Sequence, residues 1–243
     1  MTNSNTSGIE IVMIAEEELE PFSFFVTSLE AMRRLSDSED GFGGDLRYGE
    51  EDGLSGADKI CAEVAEFSMP GSGTKQWRAF LSVTEDRNGQ QVDAIDRIGT
   101  GPWYDRLGRL VAEDLDGLLN ERPNADAQIA DDLPNEYGEP NHFAGGVELD
   151  NHDVMTASDE NGRLSGNTCN DWTSTETTGG TGGGFEGPTM GHSWPARSGQ
   201  HWLSSHGGPG CEPSVVTGEG SMNGSGVGDL GGYGGIYCFA LNP

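Results

Sequence analysis

The side chains of this chain that could do chemistry are dispersed along it. Five histidines, His142, His152, His192, His201 and His206, supply imidazoles suited to metal ligation or proton transfer. Asn141-His142 and Asn151-His152-Asp153 set donors side by side, and both segments could contribute to a metal site. No His-Glu-x-x-His or short His-x-His spacing is present to bring two imidazoles onto one helix face. The histidines therefore read foremost as ordinary loop or core residues. Asp37, Glu39, Asp40 and Asp45 form a carboxylate cluster of the type that holds Ca²⁺, but they miss the EF-hand register and read as a solvated loop. Ser, His and Asp are plentiful, yet no Gly-x-Ser-x-Gly elbow carries a nucleophile. The glycine tracts lack the lysine and the strand-turn-helix setting of a phosphate-binding loop. Trp103, Trp172, Trp194 and Trp202 could stack on sugar rings; near glycine-rich loops such residues more often form the core.

Cys61, Cys169, Cys211 and Cys238 show no Cys-x-x-Cys and no zinc-type cysteine–histidine spacing. An even number in a glycine-rich acidic chain reads as two disulfides and an oxidising compartment; four cysteines allow three pairings, which spacing leaves open. The net charge of −28 comes from 41 acidic and 13 basic residues. That excess excludes nucleic acid, heparin-like polyanions and an anionic membrane surface as partners, since each requires a basic patch. No run is apolar enough for membrane insertion. Residues 1 to 7 carry no charged-then-apolar secretory signal, so the chain is read as starting after a removed signal and as extracellular or cell-surface.

Hydrophobic residues make up 33% of the 243, and glycine alone contributes 39, so a limited core must carry long irregular loops. Residues 1–21 read as a tail with an edge strand at Ile9 to Ile14, and residues 22–243 as a single domain. Phe22 to Thr27 predicts a strand, and Ser28 caps a helix from Leu29 to Leu35 that ends near Arg33 and Arg34. Ser55, with Asp58 three residues on, predicts a capped helix whose stripe is Ile60, Cys61, Val64, Ala65 and Phe67. Trp77 to Ser82 then reads as a strand buried on both faces, and Asn88-Gly89 as a hairpin-like turn. Ala94 to Ile98 is a short helix or turn. Gly108 lies in a tight hairpin that places Trp103 and Leu110 in the core. Asp114 to Asp150 is a long connection with a helical hint at Leu115 to Leu119. Val154 to Ala157 is a short strand, and Gly234 to Leu241 the closing one.

Several of these islands together resemble the C-type-lectin-like fold, and within it the endostatin branch: the C-terminal domains of collagens XV and XVIII and related bacterial secreted domains. The residues carrying the resemblance are Gly53 to Cys61, Trp77-Arg78-Ala79-Phe80-Leu81-Ser82, Ser158 to Arg163, Cys169-Asn170-Asp171-Trp172 and Tyr237-Cys238-Phe239. It implies an α+β domain with short antiparallel sheets, few helices and long irregular loops. It also implies two disulfides, Cys61 with Cys238 and Cys169 with Cys211. The basic heparin-binding face and the His-rich N-terminal zinc site of the endostatin branch have no counterpart here.

Glu139-Pro140-Asn141 has the composition of the sugar-binding tripeptide of calcium-dependent lectins, and Asn170-Asp171 beside Trp172 resembles their second ligand pair, in altered order. The resemblance thus names Glu139, Asn141 and Asp171 as Ca²⁺ ligands; with Asn170 and Trp172 beside them, and Trp194 and Trp202 added as aromatics able to stack on a sugar, they form the expected ligand-binding set. Against it stands a structural reading, a proline turn and an Asn-Asp pair beside a disulfide. The function so implied is a secreted, non-catalytic recognition or adhesion module presenting acidic loops, with Ca²⁺ assistance, to an extracellular glycan or protein. The alternative is a hydrolase or cofactor-modifying enzyme on a lectin-like scaffold, whose cysteine chemistry two disulfides would remove.

Overall fold

A computed structural model describes residues 21–143, 151–177, 185–196, 201–216 and 224–242. The strand expected at Ile9 to Ile14 lies outside the described residues. The architecture is α+β, built on one long strand near the C-terminus, β8 (Gly232–Ala240), every residue of which is buried. β1 (Phe24–Val26) and β2 (Trp77–Ala79) both pair antiparallel with its C-terminal part, and β5 (Asp153–Met155) pairs parallel with its N-terminal part. The sheet continues through β6 (Thr189–His192) to β7 (His206–Gly207), each antiparallel to its neighbour. The parallel β5–β8 pair departs from the all-antiparallel expectation. Such a pair needs a long crossover, which the residues between Met155 and Gly232 provide.

The two-residue alternation of a strand sends the side chains of β8 into two cores. Ile236, Cys238 and Ala240 join a cluster with Trp77, Ala79 and the helix α2 (Gly53–Ser68). Tyr237 and Phe239 face the other way, against Phe24, Phe80, Trp103 and Trp202. β3 (Trp103–Tyr104) and β4 (Leu110–Ala112) form a separate hairpin with an irregular register. That irregularity buries Val111 and Ala112 and leaves Leu110, expected in the core, only half-buried.

Helix starts follow from local acceptors for the first N–H groups. α1 (Leu29–Ser36) begins at Ser28, whose Oγ accepts from the Ala31 N–H at 3.1 Å. α2 begins one turn earlier than its expected Ser55 cap. Asp52 accepts from the Ser55 N–H at 2.8 Å, and a carboxylate there also meets the positive end of the helix dipole. The expected stripe Ile60, Cys61, Val64 and Ala65 is buried, but Phe67 is 58% exposed, its ring under the Arg34 guanidinium at 3.7 Å. At Gly56 a Cβ would collide with the carbonyl oxygens of Leu46 and Arg47, so only glycine lets α2 lie against that loop. A short helix, α3 (Leu115–Leu118), follows β4.

Two disulfides brace this frame. Cys61–Cys238 ties α2 to β8, and Cys169–Cys211 joins two loop segments; these are the pairings the resemblance implies. Each is worth about 2–4 kcal/mol through restriction of the unfolded chain. Residues 169 to 172 form a single left-handed turn, with φ between 51° and 63° at four non-glycine positions. Such a conformation costs about 1–2 kcal/mol per residue. It persists because the disulfide holds Cys169, the buried Trp172 indole donates to the Ser82 carbonyl at 2.9 Å, and Asp171 is saturated with donors. The Asp171 carboxylate accepts from the Thr84 N–H and Oγ1, the Glu85 N–H and the Thr168 Oγ1.

Asp171→Ala should lower stability in urea unfolding by about 2–3 kcal/mol, because these are bonds to a charged acceptor. Glu139→Ala, at an exposed position, should change stability by less than about 0.5 kcal/mol. Equal small effects would show that Asp171 does not brace the turn.

Candidate metal centre

Strand register brings donors from three separate segments together. Asp153, the first residue of β5, lies directly across from His192 of β6, and Met190 of β6 lies across from His206 of β7. His152 precedes the regular strand, so strand alternation does not turn its side chain away from that of Asp153. Asp153 also faces Gly232 of β8, where a Cβ would stand 2.9 Å from its own, so glycine makes the room this carboxylate occupies.

The Nε2 atoms of His206, His152 and His192 stand 3.0, 3.3 and 3.4 Å from one oxygen, Asp153 Oδ1. One ligand atom from each of the four residues lies within 4.8 Å of all the others. The rings meet nearly at right angles: His152 to His192 at 76°, His192 to His206 at 70° and His152 to His206 at 75°. The convergence is that of the three Nε2 atoms on one carboxylate oxygen. The Asp153 carboxylate is sealed from water, and neither of its oxygens has a hydrogen-bond partner of acceptable geometry despite the near approach of the imidazoles. A buried carboxylate without aligned donors is costly unless it coordinates a cation.

The surrounding atoms fix the ligands in place. His206 Nδ1 lies 3.0 Å from the Gly207 carbonyl; donation there assigns the proton to Nδ1 and leaves Nε2 free to coordinate. The His152 carbonyl accepts from the Ser193 N–H at 2.8 Å, and the His192 carbonyl accepts from Arg122 Nη1 at 2.6 Å. Trp194 presents its ring edge-on to His152 at 5.4 Å, donates its indole N–H to Asn151 Oδ1 at 2.9 Å, and is stacked by His142 at 3.9 Å.

Burial pushes the Asp153 carboxyl up, but the imidazoles of His192, His206 and His152 more than offset this and hold it below the ordinary carboxylate value. At His206, burial pushes the imidazole down, and the Asp153 carboxylate reverses the direction, so the net shift is upward.

The residues named from the calcium-lectin resemblance have other partners. Glu139 is exposed at a turn, its N–H donating to Asn135 Oδ1 at 3.2 Å. Asn141 is fully buried, donating to Ser193 Oγ at 3.0 Å and accepting from the Tyr233 hydroxyl at 3.0 Å. Asp171 braces the left-handed turn, and Asn170 donates to Thr173 Oγ1 at 2.7 Å. Glu139, Asn141 and Asp171 thus sit in three different hydrogen-bonding settings: an exposed turn, a buried amide network and the left-handed turn. Trp172 and Trp202 are core residues, the Trp202 indole donating to the Leu118 carbonyl at 3.1 Å. Trp194 has one face covered by His142 and cannot offer that face to a sugar. In the acidic loop, Asp45 is paired with Arg47 at 2.6 Å and Glu39 with Arg33 at 3.4 Å. His201 accepts the Leu203 N–H at 3.1 Å and stands outside the cluster.

Of the four clustered residues, only His152 and Asp153 are joined by sequence spacing, within Asn151-His152-Asp153. His192 and His206 reach them through sheet pairing, which no local spacing encodes. No protein-family model matches the chain, and no curated protein matches it in sequence.

The pKa directions define a pH optimum for the protein held free of metal by chelator. Stability from the lowered Asp153 is present above its unfolded value of 3.8 and is lost as pH falls through the folded value. Stability from the raised His206 is full below its unfolded value of 6.5 and is lost as pH rises through the folded one. Chelated protein should therefore unfold at the highest urea concentration between about pH 4 and 6.5, and His206→Gln should flatten the alkaline limb. An alkaline limb identical in the variant would contradict the pairing.

Proposed function

We propose that this chain is an extracellular, non-catalytic recognition module of the C-type-lectin-like type, completed by a divalent d-block metal ion held by His152, Asp153, His192 and His206. The observation that carries the metal assignment is the convergence of three Nε2 atoms around a carboxylate that is sealed from water and has no aligned donor. Three imidazoles and one carboxylate suit zinc and its neighbours; calcium takes six to eight oxygens. The nitrogen-rich donor set thus moves the metal away from the Ca²⁺ expected at Glu139, Asn141 and Asp171.

The extracellular part of the reading is supported by the two disulfides. No described helix is long and apolar enough to cross a membrane. The non-catalytic part is supported by the absence of a free thiol, which removes the cysteine chemistry of an enzyme on this scaffold. The lectin-like part rests on the islands of resemblance, together with the disulfide that joins the first of them to the last strand. The ligand class is an extracellular glycan or protein. The acidity of the chain argues against polyanions.

In this account the ion joins β5, β6 and β7 through side chains, and its binding adds to folding stability. Protein stripped by chelator and dialysed against Zn²⁺ should retain one equivalent by elemental analysis. Its stability should rise by about 2.7 kcal/mol at free ion one hundred times the Kd. His206→Gln, at the most exposed ligand, should hold the ion more weakly yet fold. No retained ion and an unchanged melting temperature would overturn the metal assignment. Glycan-array or protein-ligand binding by the loaded form, lost on chelation, would support the recognition role; equal binding by both forms would detach that role from the ion.

A further inference from the structure

The donor separations also constrain the geometry of coordination, an inference that rests on the metal-binding reading above. Zinc–ligand bonds of about 2.0–2.1 Å in a tetrahedron place every pair of donor atoms about 3.3 Å apart. The same bonds in a square plane put neighbours about 2.9 Å apart and opposite donors about 4.1 Å apart, the arrangement preferred by Cu²⁺ or Ni²⁺. In a planar site one imidazole would have to stand opposite the carboxylate oxygen. Here all three nitrogens lie at 3.0–3.4 Å from Asp153 Oδ1, so none occupies such a position.

Access is equally constrained. Asp153 and His192 have no exposed side-chain surface, His152 retains 8% and His206 20%. Trp194, held by His142 and Asn151, packs beside His152. Two surface clefts of about 530 and 560 Å³ are lined by none of the four ligands. A catalytic zinc keeps one position for water or substrate, whereas a structural zinc has four protein ligands.

We infer that the site takes Zn²⁺ in a closed tetrahedral shell made wholly of His152, Asp153, His192 and His206, so that the ion braces the β5–β6–β7 face and meets no substrate. The ion is bound by neutral imidazoles and an ionised carboxylate, and any proton on His206 leaves to solvent as it binds.

Co²⁺ is the probe that reads this geometry. The full chain, stripped and loaded with one equivalent of Co²⁺, should show the intense visible d–d bands of a tetrahedral site. Addition of azide should leave them unshifted, and Zn²⁺ should abolish them stoichiometrically. His206→Gln should open the shell, and its residual cobalt spectrum should become azide-sensitive or be lost. Weak octahedral bands, or bands shifted by azide in the unmodified chain, would overturn the closed tetrahedral shell while leaving metal binding intact. Failure to take up either ion would remove the metal assignment itself.

Discussion

The sheet that carries the site depends on one constraint, the burial of the Asp153 carboxylate. A carboxylate taken out of water must be neutralised or paired, because its isolated burial costs an amount comparable to the whole net stability of a typical domain. Asp153 occupies the position where β5 meets both β6 and β8, and Gly232 leaves space for it there. Its partners come from three segments: His152 beside it, His192 across the sheet and His206 from the edge strand. Without an ion, a protonated imidazole can supply the compensating charge. With one, all three imidazoles and the carboxylate share it. Stripping the carboxylate of every compensating charge would cost about 3–5 kcal/mol, whereas loss of one imidazole leaves two others beside it.

The rest of the molecule makes this burial affordable by fixing the strands that bring the donors together. β8 separates two apolar clusters, and its alternating side chains belong to both, so a slip by one residue would exchange Cys238 with its aromatic neighbours. The Cys61–Cys238 bond fixes that register covalently against α2. Cys169–Cys211 does the same for the loops that lead to and from β6 and β7. A chain this rich in glycine pays a large conformational entropy on folding, and crosslinks reduce it where side-chain packing is sparse.

What the sequence disclosed and what it concealed follow the range of the interactions involved. α1 with its Ser28 cap, the buried face of α2 and the strand at Trp77 are set by near neighbours and were readable as such. Asp52 as the cap of α2 was missed because Ser55 fits the same local pattern, and only the geometry shows the carboxylate receiving the N–H. The parallel pairing of β5 with β8 has no local signature. The same is true of the metal cluster: His192 and His206 are ordinary loop histidines until sheet register sets them around Asp153. Conversely, Asn141 and Asp171 have the right types for calcium, but a buried amide network and a left-handed turn use their hydrogen-bonding capacity. Residue type advertises chemistry, and burial with pairing decides whether it is free to occur.

The most direct test of the account is X-ray absorption at the zinc edge on the Zn²⁺-loaded full chain. The account requires a first shell of four nitrogen or oxygen neighbours at about 2.0–2.1 Å, with the outer-shell scattering of three imidazole rings. A six-coordinate oxygen shell, a sulfur neighbour or scattering from fewer than three imidazoles would contradict it.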